Sequence, residues 1–239
     1  MKNIIPTLWR SLVEMLFPRR CPVCGGRILG ESCICTMCMS KLPRTLYHLR
    51  RGNKLEQRFY GTVPVERATG YFFYTTESPY HQILHQLKYY GHTEMGIYMG
   101  HCMATHLMAD GGDFLEGIDC IVPVPLSKAR KQKRGYNQSE LLAQGISQVA
   151  DIPVRSEIVC RVVDNPTQTH LGNTERWENV KGIFEISPSA MHLLKGKHIL
   201  LVDDVTTTGA TLTSCAQTII ASVPDCRISI AVLAVADTW

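Results

Sequence analysis

The sequence predicts an α/β fold, a mainly parallel sheet with flanking helices behind a small cysteine-bearing unit, and three observations carry that prediction. Apolar runs at residues 118–125, 199–202 and 228–235 show little of the alternation an exposed strand face would impose, as strands buried on both faces require. Segments with helical spacing, 139–149 and 210–221, fall between them, so strand and helix alternate. Half of the ten cysteines lie between positions 21 and 38, far from those strands.

In chain order, the first twenty residues carry Arg10 and Glu14 and no small-residue cleavage site, unlike a signal peptide. Leu8, Leu12, Met15 and Leu16 suit an amphipathic helix instead. No apolar run approaches the ~20 residues of a membrane span, so a cytoplasmic protein with reduced thiols is expected. Cys21-Pro-Val-Cys24 and Cys35-Thr-Met-Cys38 are two pairs with two-residue gaps, the spacing of a four-thiolate zinc ribbon. Four sulfurs close the coordination sphere, which makes the zinc structural. Cys33 could pair with Cys35 or Cys38, but only the 35/38 pair reproduces the gap. Cys102, Cys120, Cys160, Cys215 and Cys226 read as small buried residues.

Residues 41–61 are basic and turn-rich and read as a connection. Gly61 and Pro64 place a boundary near 60–66, giving a helix, ribbon and linker at 1–62 and an α/β domain at 63–239. A β-prone aromatic stretch, 68–75, makes a first strand. Ser78 and Pro79 cap and start a helix over 80–88, followed by another over 94–108. His81 and His85 share a helix face but lack a third metal ligand, so they read as solvated or capping. Prolines end the 118–125 strand.

Five cations within residues 128–134 then form a loop, with Ser127, Lys128, Arg130, Lys133 and Arg134 able to cradle a diphosphate and Tyr136 able to stack a ring. The same cations suit a nucleic-acid backbone or a solvated surface. Residues 161–184 are long and polar and read as a lid carrying Gln168, Thr169, Arg176 and Asn179. The fork of Arg176 suits phosphate oxygens, or a salt bridge to Glu175 or Glu178.

Residues 197–220 organise the rest. A buried strand leads to Asp203 and Asp204, then to the turn Val205, Thr206, Thr207, Thr208 and Gly209, and to a helix whose first turn holds Ala210 and Thr211. Loop amides and a helix N-terminus hold a phosphate, and the threonine hydroxyls add donors. The acids fit the hydroxyls of a pentose. The metal-binding strand end of a P-loop hydrolase also follows an apolar strand, but no G-x-x-x-x-G-K-[ST] occurs in the chain.

LLVDDVTTTGAT resembles the phosphoribosyl-diphosphate (PRPP) signature of type I phosphoribosyltransferases. The resemblance implies that Asp203 and Asp204 hold the ribose and residues 205–211 the 5-phosphate. With the four cysteines, the P-V-P strand end, R-G-Y-N-Q, Q-T-x-L and E-R-W-E-N-V, the chain resembles the ComF family of late-competence proteins nearly throughout. That implies a phosphoribosyltransferase-like domain with a zinc ribbon, handling incoming single-stranded DNA in natural transformation beside a helicase and recombination proteins. Magnesium would be held mainly by the diphosphate and ribose hydroxyls. Amidophosphoribosyltransferase activity is not expected, because the chain begins Met1-Lys2 without a cysteine nucleophile and is too short for a glutaminase half. A transferase of PRPP, with Asp203, Asp204 and Arg176 as catalytic residues, and a DNA-binding adaptor that does not turn PRPP over both stay open. So does a transferase of nucleotide metabolism unrelated to DNA uptake. The formal charge of +4 suits anionic ligands without demanding nucleic acid.

Overall fold

The computed structural model describes residues 19–28, 30–89, 93–163 and 182–236. Its sheet has the order β1-β6-β5-β2, with every neighbouring pair parallel. These strands are β1 (Arg67–Tyr74), β2 (Cys120–Pro123), β5 (His198–Thr206) and β6 (Arg227–Ala236). A separate antiparallel pair joins β3 (Val159–Arg161) to β4 (Phe184–Ile186). The helices are α1 (Thr36–Ser40), α2 (Lys54–Gln57), α3 (His81–Tyr89), α4 (Thr93–Ala109), α5 (Lys128–Arg134), α6 (Gln138–Ala150) and α7 (Ala210–Ser222).

The apolar runs at 199–202 and 228–235 belong to the two central strands, β5 and β6, and the run at 118–125 contains the edge strand β2; both faces of the sheet are covered. Leu200 and Val202 of β5 pack with Ala231 and Leu233 of β6 under α3, α4 and α6. Ile199, Leu201, Ile230 and Val232 pack on the other side with Leu212, Cys215 and Ile219 of α7. Period-two alternation thus divides one run of residues between two cores. On the first face α4 and α6 approach closely through glycines. A Cβ at Gly100 would meet the Leu142 carbonyl oxygen at 2.2 Å, and one at Gly145 the Ile97 carbonyl oxygen at 2.1 Å. That contact fixes α6, whose first turn faces the acid pair.

Residues 41–61, expected as a connection, are stitched to the sheet. The Phe73 amide donates to Pro43 at 2.9 Å and the Thr45 amide to Tyr71 at 3.1 Å. Asn53 caps α2 by accepting from Leu55 and Glu56 at 3.0 Å each, while its amide group donates to the carbonyls of Tyr47, Arg50 and Ala68. Ribbon residues Ile28, Ile34 and Leu42 share one core with Phe72 and Ile83, and Tyr80 donates to the Cys38 carbonyl at 3.0 Å.

Three expectations are corrected. Residues 128–134 form α5 rather than a loop. Ser127 and Gly135 (φ 80°) cap a stretch that lacks internal glycine or proline, and Lys, Arg, Ala and Gln are strong helix formers. β5 runs to Thr206 rather than ending before the acids, because the ten-residue β6 still pairs with it at Val205 and Thr206. α3 begins at His81, with Ser78 and Pro79 in the turn before it, although the Tyr80 amide still finds the Ser78 hydroxyl at 3.4 Å. The expected N-terminal helix lies outside the described residues.

Candidate functional site

β2 and β5 are adjacent, so the segments that leave them meet at one edge of the sheet, the carboxyl end where ligands of such folds bind. Asp203 and Asp204 sit near the end of β5. Asp203 Oδ1 accepts from the Ser139 hydroxyl at 2.9 Å and from the Asp204 amide at 2.9 Å. Asp204 Oδ2 lies 3.1 Å from Lys88 Nζ on α3. Burial, and then the neighbouring charge of Asp204, push the half-buried Asp203 carboxyl up to about 7 despite those hydrogen bonds. Asp203 therefore titrates near neutrality, and a hydrogen-bond donor arriving there favours its ionised form.

Beyond them the chain bends. Thr207, Thr208 and Gly209 form the bend, Gly209 with φ 85° at the N-cap of α7, where a side chain is strained. The Thr208 hydroxyl accepts from the Ala210 amide at 3.4 Å. Thr206 Oγ1 is buried and has no hydrogen-bond partner among the described residues, a donor awaiting an acceptor. From outside, Arg58 donates to the Thr207 carbonyl, and the Phe59 ring lies 3.5 Å from where a Gly209 Cβ would stand. Thr211 follows in the first turn of α7, partly exposed.

The basic group lies across β2. Ser127 is buried and its hydroxyl accepts from the Arg130 amide at 3.4 Å. Lys128 and Lys133 are exposed, Arg130 and Arg134 half-buried, and no residue of α5 is buried. Arg134 donates to the Gln138 side-chain oxygen at 3.0 Å. Tyr136, expected to stack a ligand ring, donates its hydroxyl to the Leu87 carbonyl at 2.9 Å, which fastens R-G-Y-N-Q to α3. Gln168, Thr169, Arg176 and Asn179 lie outside the described residues.

The four predicted cysteines do meet. The sulfurs of Cys21, Cys24, Cys35 and Cys38 lie within 4.8 Å of one another, and Cys24 Sγ is 3.7 Å from Cys35 Sγ. Zinc–sulfur bonds of about 2.3 Å in a tetrahedron give sulfur separations of about 3.8 Å, so the cluster fits a zinc ion. Burial pushes Cys21 up, but hydrogen bonds from the backbone of Cys35, Cys24 and Val23 outweigh it and hold its thiol at about 7, towards the thiolate a metal needs. Cys33 stands outside the cluster, its thiol pushed up to about 11 by burial. Among the described residues no other group of three His, Cys, Asp or Glu side chains could hold a metal.

Three groups at the acid pair escaped the sequence reading: Ser139, Lys88 and Arg58. Ser139 carried a weak signal, a hydroxyl directly after R-G-Y-N-Q at a helix start, whereas Lys88 and Arg58 carried none.

A mainly parallel sheet flanked by helices, with an acid pair near the end of a central strand before a hydroxyl-rich bend and a helix, has the architecture of the phosphoribosyltransferase class of α/β proteins. The phosphoribosyl transferase domain family model matches residues 96–237, and the double zinc ribbon domain model residues 12–49. "DNA utilization protein YhgH" of Escherichia coli is 31% identical over 198 residues, 82% of each chain. "Competence protein F" of Haemophilus influenzae is 43% identical over 94 residues, 39% of this chain and 41% of its own. "Competence protein ComFC" of Bacillus subtilis is 36% identical over 92 residues, 38% of this chain and 34% of its own. The chain belongs to the ComF family, in which a phosphoribosyl transferase domain follows an N-terminal zinc ribbon. Among the described residues no helix is long and apolar enough to cross a membrane.

Proposed function

We propose that the chain binds PRPP with magnesium at the end of β5 and acts in the handling of single-stranded DNA during natural transformation. The observation that carries the ligand is the placement of Asp203 and Asp204 beside a bend with a buried, unpartnered Thr206 hydroxyl and a helix N-terminus. In this reading the acids hold the ribose hydroxyls, and residues 205–211 hold the 5-phosphate. Magnesium, brought in with the diphosphate and ribose hydroxyls, would supply positive charge at the leaving group. Lys128, Arg130 and Arg176 add positive charge where negative charge grows, while the acids fix the ribose as C1 becomes oxocarbenium-like. Ser127, Lys133, Arg134 and Gln168 complete the anion-binding rim.

The DNA role is supported by the printed names of the relatives, which concern DNA utilization and competence. It is also supported by an α5 whose cations are not committed to the core. A second reading, a DNA-binding adaptor that holds PRPP without turnover, is favoured by that same surface; helicase and recombination proteins are its expected partners. The third, a transferase of nucleotide metabolism, gains nothing from those names.

Calorimetry with PRPP and magnesium tests the pocket. Wild type should bind, and Asp204→Asn should lose about tenfold or more, the value of a charged hydrogen bond. No binding by wild type overturns the reading. Diphosphate release with added acceptors marks the enzyme. A salt-dependent single-strand affinity that flattens in Arg130→Glu/Lys133→Glu marks the DNA surface, and an unchanged slope removes it.

A further inference from the structure

Residues 50–95 lie in neither matched domain, yet this stretch delivers a cation to the acid pair. Lys88 Nζ stands 3.1 Å from Asp204 Oδ2, and the two side chains are only 23% and 14% exposed. Exposed ion pairs contribute little and wander; this one is enclosed. The end of α3 that carries Lys88 is held in place from several directions. Tyr136 donates to the Leu87 carbonyl at 2.9 Å, the His85 and Tyr89 rings are 4.9 Å apart, and the Arg134 guanidinium lies 5.8 Å over Tyr89. The segment after α5 therefore fixes where Lys88 reaches.

A carboxylate that must accept from a pentose hydroxyl gains nothing from a permanent ammonium partner, which competes for the same oxygen. An ammonium becomes useful when the incoming ligand adds negative charge beside two acids that already repel it. Resting on the PRPP pocket proposed for the end of β5, we infer that Lys88 is a ligand-binding residue for the diphosphate of the sugar phosphate. Lys88 neutralises Asp204 before the ligand arrives and contacts the diphosphate afterwards, which frees Asp204 for the ribose.

The test compares PRPP with ribose 5-phosphate, which shares the pentose and 5-phosphate but lacks the diphosphate. With magnesium present, Lys88→Met should weaken PRPP by about ten- to a hundredfold. Ribose 5-phosphate, whose hydroxyls no longer compete with the ammonium for Asp204, should bind no more weakly than to wild type. Lys88→Arg should recover most of the PRPP affinity. If Lys88→Met binds PRPP as wild type does, or loses both ligands equally, Lys88 is not a diphosphate ligand, while the pocket reading survives on the wild-type data. If wild type binds neither ligand, the pocket reading fails and Lys88 falls with it.

Discussion

The zinc ribbon and the acid-pair site are built in opposite ways. Cys24 and Cys35, whose sulfurs meet at 3.7 Å, are eleven residues apart in the chain, and the four sulfurs come from one tight turn and from the start of α1. At the acid pair, Ser139 reaches Asp203 across 64 residues and Arg58 reaches Thr207 across 149. One site is a local property of a short segment, and the other exists only once α3, α6 and β5 are packed. Local sites are specified by spacing and strengthened by their metal; assembled sites inherit the geometry of the whole core. The two are joined at α3: Tyr80, just before it, donates to the Cys38 carbonyl, and Lys88 near its other end reaches Asp204.

The sharpest test of that separation removes the metal. Cys35→Ser/Cys38→Ser should lose about one zinc per chain and lower Tm by about 4–8 °C if the loss is about 2 kcal/mol. PRPP affinity should stay within about twofold, since distant sites are nearly additive. A larger loss of affinity would mean that α3 transmits the state of the ribbon. Next in size, Gly209→Ala forces a side chain into a left-handed backbone and should cost about 1–2 kcal/mol of stability, read by denaturant unfolding. The Phe59 ring at 3.5 Å is ordinary contact, so the cost arises from φ rather than crowding. Since Arg58 and Phe59 back this bend, phosphate affinity should fall with it.

A pH dependence tests Asp203 itself. The raised Asp203 carboxyl holds its proton in the folded chain where the unfolded chain, near 3.8, has lost it. Its contribution to stability is full below the unfolded value and is lost as pH rises through about 7. Asp203→Asn should therefore flatten the fall in Tm over that window and melt higher than wild type at about pH 8. PRPP affinity of wild type should run the other way, rising up to about pH 7, because ribose hydroxyls donate to the ionised acid. A Tm that rises with pH across the window would show that Asp203 is not held neutral.

The helix α5 shows where sequence reading stopped short although the signal was present. Five cations suggested a diphosphate-cradling loop, but the cap at Ser127 and Gly135 with no breaker between them already spelled a helix. The extension of β5 through Thr206 was different, for it depends on β6 being long enough to pair there. The partner of the Tyr136 hydroxyl, a carbonyl on α3, likewise depends on how distant segments pack.

Local chemistry along the chain suffices for the ribbon, the two central strands, and the acid pair with its bend. Each of these arises within a few neighbouring residues: thiolate spacing, apolar runs covered on both faces, and a glycine placed for a left-handed turn. The surroundings of Asp203 and Asp204 had to wait for packing. Lys88, Ser139 and Arg58 are ordinary polar residues whose meaning comes from the close approach of α4 and α6 at Gly100 and Gly145 and from the stitching of residues 41–61 onto the sheet. Contacts between distant segments are set by how the whole core packs, and no local pattern encodes them.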